Sequence, residues 1–271
     1  MSEQFKQPLI KVIVVFDIDG VVRDVGGSYR RAIADTVEHF TAGSYRPTQL
    51  DIDLLKSEGI WNNDWEASQE LIYRYFEAQG QARSQVKLNY ETIVAFFQSR
   101  YRGTDPNRFT GYICNEPLLL KPSYLEQLSA AGILWGFFSG ATRASANYVL
   151  EKRLGLKSPV LIAMEDAPGK PDPTGLFATV QQLEPVQATP VIYVGDTVAD
   201  MYTVEKARAK VSDRLWIGVG ILPPHVLATP ERRDAYADTL KAAGAAVIFN
   251  NVEELTPAQI QNLICSPMPT T

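Results

Sequence analysis

Six short runs of β-branched and other apolar residues, spaced by longer amphipathic stretches, limit what this 271-residue chain can fold into. The runs fall at 11–16, 133–138, 159–163, 191–194, 215–219 and 246–249. Strands that are apolar on both faces need cover on both sides. Helical patterns at 144–154, 174–183 and 200–209 separate the later runs. Alternation of this kind predicts an α/β fold on a parallel sheet with helices on each face.

The stretch after the first run breaks the alternation. From about Gly26 to Gly111 no buried strand is evident, and helical patterns fill 28–40, 48–58, 64–79 and 88–101. In the first of these, Tyr29, Ile33, Val37 and Phe40 form one apolar stripe at helical spacing. The expected organisation is an α/β core of residues 1–24 and 112–271, with an α-helical module of residues 25–111 inserted in it.

Charge and composition narrow the function. The net charge is −5, from 26 basic and 31 acidic residues, with no long basic block, so no nucleic-acid partner is expected. No apolar run nears the roughly 18 residues that span a bilayer, so no membrane partner is expected either. The run at 11–16 stops at Asp17 and reads as a strand, not as a secretion signal. Cys114 and Cys265 match no zinc or disulfide spacing, in keeping with a reduced, cytoplasmic protein. With only His39 and His225 present, any metal site must rest on carboxylates, which favours a hard cation such as Mg²⁺.

Four motifs sit just past expected strands. Asp17 and Asp19, at i and i+2, follow the first, with Gly20 next to allow a sharp departure. Ligands bind at such strand ends in open α/β sheets, although an Asp pair there also serves to cap a turn. Asp196 and Asp200 repeat the theme after the run at 191–194, one helical turn apart. One Asp at a helix start is explained by the macrodipole. Two separate strands that both end in paired acids are not, and their convergence would need a divalent cation. Ser139 and Gly140 precede a helix, where they form either an N-cap or an oxyanion cradle. Lys170, ahead of Pro171, is either an exposed lysine at a proline-set helix start or a point charge for phosphate.

Taken together, the order Asp-x-Asp, Ser, Lys, Gly-Asp-x-x-x-Asp resembles the haloacid dehalogenase (HAD) superfamily over nearly the whole chain. The helical insertion resembles the mobile cap of its subfamily I, as in the phosphoglycolate phosphatase-like branch. The resemblance implies a Rossmann-like core. It also implies Asp17 as nucleophile, Asp19 as general acid and base, and Ser139, Gly140 and Lys170 gripping the phosphoryl group. Mg²⁺ would be held by Asp17, the Asp19 carbonyl and Asp196, with Asp200 completing the acidic cluster. An acid at Asp19 suits a phosphatase or phosphomutase, since a departing halide needs no proton. The Thr and membrane helices of the ATPase branch are missing.

The expected function is a Mg²⁺-dependent phosphatase of a small-molecule phosphate monoester, such as phosphoglycolate or a sugar phosphate, acting as monomer or homodimer. A phosphomutase is the alternative, and a non-catalytic binding protein on the same scaffold a weaker one. In the cap, Asn63 and Asp64, with Trp65 beside them, either read the leaving group or cap the next helix. Arg23, Tyr29 and Arg30 lie near the expected hinge. The segment 218–233 interrupts the strand-to-helix spacing, as an active-site flap or a subunit contact, with His225 expected at the surface.

Overall fold

The computed structural model describes residues 11–105, 108–184 and 189–265. Its centre is a six-stranded parallel sheet in the order β3-β2-β1-β4-β5-β6. The strands are β1 (Ile13–Phe16), β2 (Leu134–Phe138), β3 (Leu161–Ile162), β4 (Val191–Gly195), β5 (Trp216–Ile221) and β6 (Ala245–Phe249). β1 is wholly buried because its alternate side chains serve two cores. Val14 and Phe16 enter one with Leu125, Leu128 and Ile260, while Ile13 and Val15 enter the other with Leu176, Val180 and Val204.

Helices cover both faces. In chain order these are α5 (Pro122–Ala130), α6 (Arg143–Asn147), α7 (Thr174–Leu183), α8 (Val198–Lys210), α9 (Pro230–Ala242) and α10 (Pro257–Cys265). The pattern at 144–154 resolves into α6 and a wider π-helical turn, Tyr148–Arg153. Cys265 is the last residue of α10, and residues 266–271 lie outside the described residues.

Between β1 and α5 come α1 (Tyr29–Phe40), α2 (Gln49–Lys56), α3 (Asp64–Ala78) and α4 (Tyr90–Tyr101). They share an apolar cluster of their own, in which Ile33 and Val37 of α1 meet Ile52, Leu55, Leu71, Ile93 and Phe97. Thr48 starts α2 with a reciprocal capping box to Asp51, and Asn63 and Asn89 cap α3 and α4. No helix among the described residues is long and apolar enough to cross a membrane.

Candidate active site

β1 and β4 are neighbours, so the residues that follow them emerge side by side. Asp17 is buried, its backbone N–H donating to Val194 O at 2.8 Å and its Oδ1 accepting from Ile18 N at 2.7 Å. Burial raises its carboxyl to about 7, with Asp200 and Asp19 adding to the rise and Lys170 opposing it. Gly20 then turns at φ +74°, and a Cβ there would sit 1.9 Å from Asp196 Oδ2. Only glycine both accepts that backbone and leaves room for the second acid.

Asp196 and Asp200 behave differently. Asp200 forms the capping box of α8 with Thr197, taking its N–H at 3.0 Å and its hydroxyl at 2.6 Å on Oδ2. Its Oδ1 accepts from Tyr193 at 3.0 Å and Lys170 at 2.6 Å. Burial alone would raise Asp200, but Lys170 and Thr197 bring it below its usual value. Asp196 is also buried, yet among the described residues no group hydrogen-bonds its carboxylate. Burial, then the charges of Asp200 and Asp17, push it well above the usual carboxylate range.

Lys170 is buried between two of the acids, with Nζ 2.9 Å from Asp17 Oδ2 and 2.6 Å from Asp200 Oδ1. Burial would lower its affinity for a proton, but the two carboxylates outweigh it and the ammonium stays charged. Ser139 follows β2. Its N–H is used by Ile162 O at 3.0 Å, and its hydroxyl accepts from Ala141 N at 3.2 Å. The N–H of Gly140 has no partner among the described residues and is free for an incoming oxygen.

Carboxylate oxygens of Asp17, Asp196 and Asp200 all lie within 4.8 Å of one another. Lys170 pairs with two of these three buried acids, and the carboxylate of the third, Asp196, has no hydrogen-bond partner among the described residues. This oxygen-only set fits a hard divalent cation. The Asp19 side chain stands apart, bonded to Arg23, so any part it takes in that site falls to its backbone carbonyl.

A small cavity of about 60 Å³ adjoins the acids, lined by Asp17, Asp19 and Asp196 from the sheet side and by Tyr29, Asn63 and Asp64 from the helical side. Asn62, Asn63, Gly140 and Met164 also line a second cavity of about 290 Å³, which reaches Ser139 and Lys170. Asn63 Oδ1 accepts from Trp65 N at 3.0 Å, so the residue caps α3 while it faces the cavity. Asp64 pairs with Lys56 at 2.7 Å, on the same wall. Asn62 and Lys56 escaped sequence reading. The Asn62 amide nitrogen lies 3.1 Å from where a Cβ on Gly140 would be. Asn63→Ala is expected to destabilise the protein by about 1 kcal/mol through loss of the cap, measured by urea unfolding. No change would mean that the cap bond contributes nothing.

A second polar cluster ties the helical module to the segment after β5. Asp53 of α2 accepts from Arg30 at 2.7 Å and Arg232 at 2.5 Å, and lies 3.1 Å from His225 Nε2. The segment 218–233 therefore touches α1 and α2, and the His225 side chain is only 9% exposed, not at the surface as expected. Burial opposes ionisation of Asp53, but His225, Arg30 and Arg232 hold it well below its usual 3.8. Asp53→Ala is expected to cost about 3 kcal/mol, since it strands the buried Arg30 guanidinium. A depressed folded value means the stabilisation is present above about pH 4 and is lost as pH falls below it. The gap between wild type and variant should then narrow in acid; a constant gap from pH 7 to pH 3 would exclude an ionic origin.

Over 245 residues the chain is 29% identical to an imidazoleglycerol-phosphate dehydratase from Phytophthora nicotianae, covering 87% of this chain and 49% of that one. The chain thus spans about half the length of the curated relative it matches. Among solved structures it is similar to phosphatase Tt82 from Thermococcus thioreducens, at 25% identity and a TM-score of 0.59, over 77% of this chain and 92% of that one. A phosphonoacetaldehyde hydrolase like protein from Oleispira antarctica shares the fold at a TM-score of 0.65 and 17% identity, over 95% and 93% of the two chains. The family description that matches residues 12–208 is haloacid dehalogenase-like hydrolase, and that span holds Asp17, Asp19, Ser139, Lys170, Asp196 and Asp200. The chain belongs to the haloacid dehalogenase-like hydrolase family.

Proposed function

We propose that the protein is a Mg²⁺-dependent phosphatase of a small phosphate monoester, working through an aspartyl-phosphate on Asp17. The observation that carries this reading is Lys170 seated between Asp17 and Asp200, with the Asp196 carboxylate beside them unbonded among the described residues. Asp17 attacks phosphorus as the ester oxygen departs, and Asp19 gives that oxygen a proton. Asp19 then takes a proton from the water that releases phosphate from Asp17. Lys170, the Gly140 N–H and Ser139 grip the phosphoryl oxygens. Asp17, Asp196 and the Asp19 carbonyl hold the cation, and Asp200 orients Lys170 and the α8 start around it. When bound, Mg²⁺ supplies charge neutralisation and alignment of the ester.

Residues 25–111 serve as the cap over a core of residues 1–24 and 112–271. Asn63 and Asp64, joined by Asn62 and Lys56, meet the leaving group. The small cavity beside the acids favours a compact ester. The test is phosphate release from a panel of monoesters with Mg²⁺ and with EDTA. The panel includes phosphoglycolate, sugar phosphates and, because the curated relative is named for one, an imidazole-bearing glycerol phosphate. Release that requires Mg²⁺ is expected. Phosphoryl movement between positions of one substrate, with no free phosphate, would instead assign a phosphomutase.

A further inference from the structure

The Asp19 carboxylate is gripped on one oxygen only. Arg23 donates from Nε to Oδ1 at 2.6 Å, and its Nη2 lies 2.5 Å from the same oxygen. Among the described residues nothing bonds Oδ2, and the side chain is 25% exposed on the cavity that it lines. Arg23 itself is fully buried. Its Nη1 donates to the Tyr101 hydroxyl at 2.7 Å and pairs with Glu116 at 2.9 Å. Its guanidinium lies over the Tyr29 and Tyr101 rings, which stack at 4.0 Å.

These partners come from both connections between the helical module and the sheet. Arg23 is on the outgoing connection, Glu116 on the returning one, and Tyr101 ends α4. The two connections also pair through their backbones. Leu119 N donates to Val22 O at 2.8 Å, Asp24 N donates to Pro117 O at 2.9 Å, and Arg23 bridges to Leu118. A buried guanidinium demands partners, and its planar fork fixes their directions. Arg23 is thereby held by groups 78 and 93 residues away, and through its fork they set the direction from which Asp19 is gripped.

We propose that Arg23 is a positioning residue for Asp19, fixing one carboxylate oxygen, leaving the other to carry the proton into the cavity, and coupling that placement to both connections of the cap. The assignment rests on the phosphatase reading above. As the bond from Asp17 oxygen to phosphorus forms and the ester bond breaks, the proton on Asp19 goes to the departing oxygen. In the second step water oxygen bonds to phosphorus, the bond to Asp17 breaks, and the water proton returns to Asp19. Both transfers need Oδ2 aimed at the reacting oxygen, and a shift of the cap reaches that oxygen through Arg23.

The test compares two esters by rapid mixing. One is p-nitrophenyl phosphate, whose leaving group departs without a proton. The other is the best alkyl phosphate from the panel. In Arg23→Lys, phosphoryl transfer from the alkyl ester should slow on the order of 100-fold, the scale of general acid catalysis. Transfer from the nitrophenyl ester should stay within a few fold, with KM for both unchanged. Tyr101→Phe keeps the buried ring and removes one bond to Arg23, so it should shift the ratio the same way by about fivefold. Equal slowing of both esters would overturn the assignment. If Arg23→Lys fails to fold, Tyr101→Phe decides alone, and an unchanged ratio there overturns it. A wild type that transfers from neither ester sinks the phosphatase reading itself, and this assignment with it.

Discussion

Asp17→Asn is expected to lower phosphate release on the order of 10⁴- to 10⁶-fold, the range found when a covalent nucleophile is removed. An amide has no anionic oxygen to offer phosphorus and cannot form an acyl phosphate that water hydrolyses. The variant should nevertheless fold at least as well as wild type. Burial and the neighbouring acids raise Asp17 to about 7, so its ionisation is a cost to the folded state at and above neutral pH. An uncharged isostere removes that cost while the site stays packed. Lost turnover with an equal or higher unfolding midpoint in metal-free buffer would therefore separate chemistry from folding. Retention of more than about one part in a hundred of wild-type activity would exclude Asp17 as the nucleophile.

Legibility of the site in the sequence followed the range of the contacts. Asp17, Lys170, Asp196 and Asp200 were readable because each sits at a fixed offset from an apolar run, and strand order does the rest. The four helices between β1 and α5 were readable as helical patterns, the first through an apolar stripe at helical spacing. α9 was not, because in its polar sequence only Leu240 is buried. α5 was not either, being a single nine-residue helix. The cluster of Asp53, Arg30, His225 and Arg232 joins residues 172 and 179 positions apart and leaves no local pattern at all. The same holds for Arg23. Its place just past β1 was visible, but its contacts with Tyr101 and Glu116 come only from packing. Asn63 shows the limit of motif reading from the other side, since one side chain both caps α3 and faces the cavity.

Mg²⁺ should raise the unfolding midpoint of the metal-free protein by about 5–10 °C at saturating concentration, and by more near pH 8 than near pH 5. The reason is charge. Asp17, Asp196 and Asp200 have Lys170 as their one bonded cation among the described residues. Asp17 and Asp196 are both raised in the folded state, which therefore favours their protonated forms. A raised carboxyl contributes stability at low pH that is lost as pH rises through its folded value, here about 7 for Asp17. The metal-free protein should thus weaken from about pH 5 to pH 8, where a cation has most to relieve, since it binds the deprotonated ligands. At a hundredfold excess over its dissociation constant, a ligand adds about 2.7 kcal/mol, which gives a shift of this size in a chain of this length. Asp196→Asn removes one repelling charge and one ligand together. It should be more stable than wild type without metal near pH 8 and should gain little from Mg²⁺. Thermal melts of both proteins, with Mg²⁺ and with EDTA at the two pH values, decide the point. A wild-type midpoint indifferent to Mg²⁺ near pH 8 would mean that these carboxylates do not form a cation site, whatever the enzyme's activity.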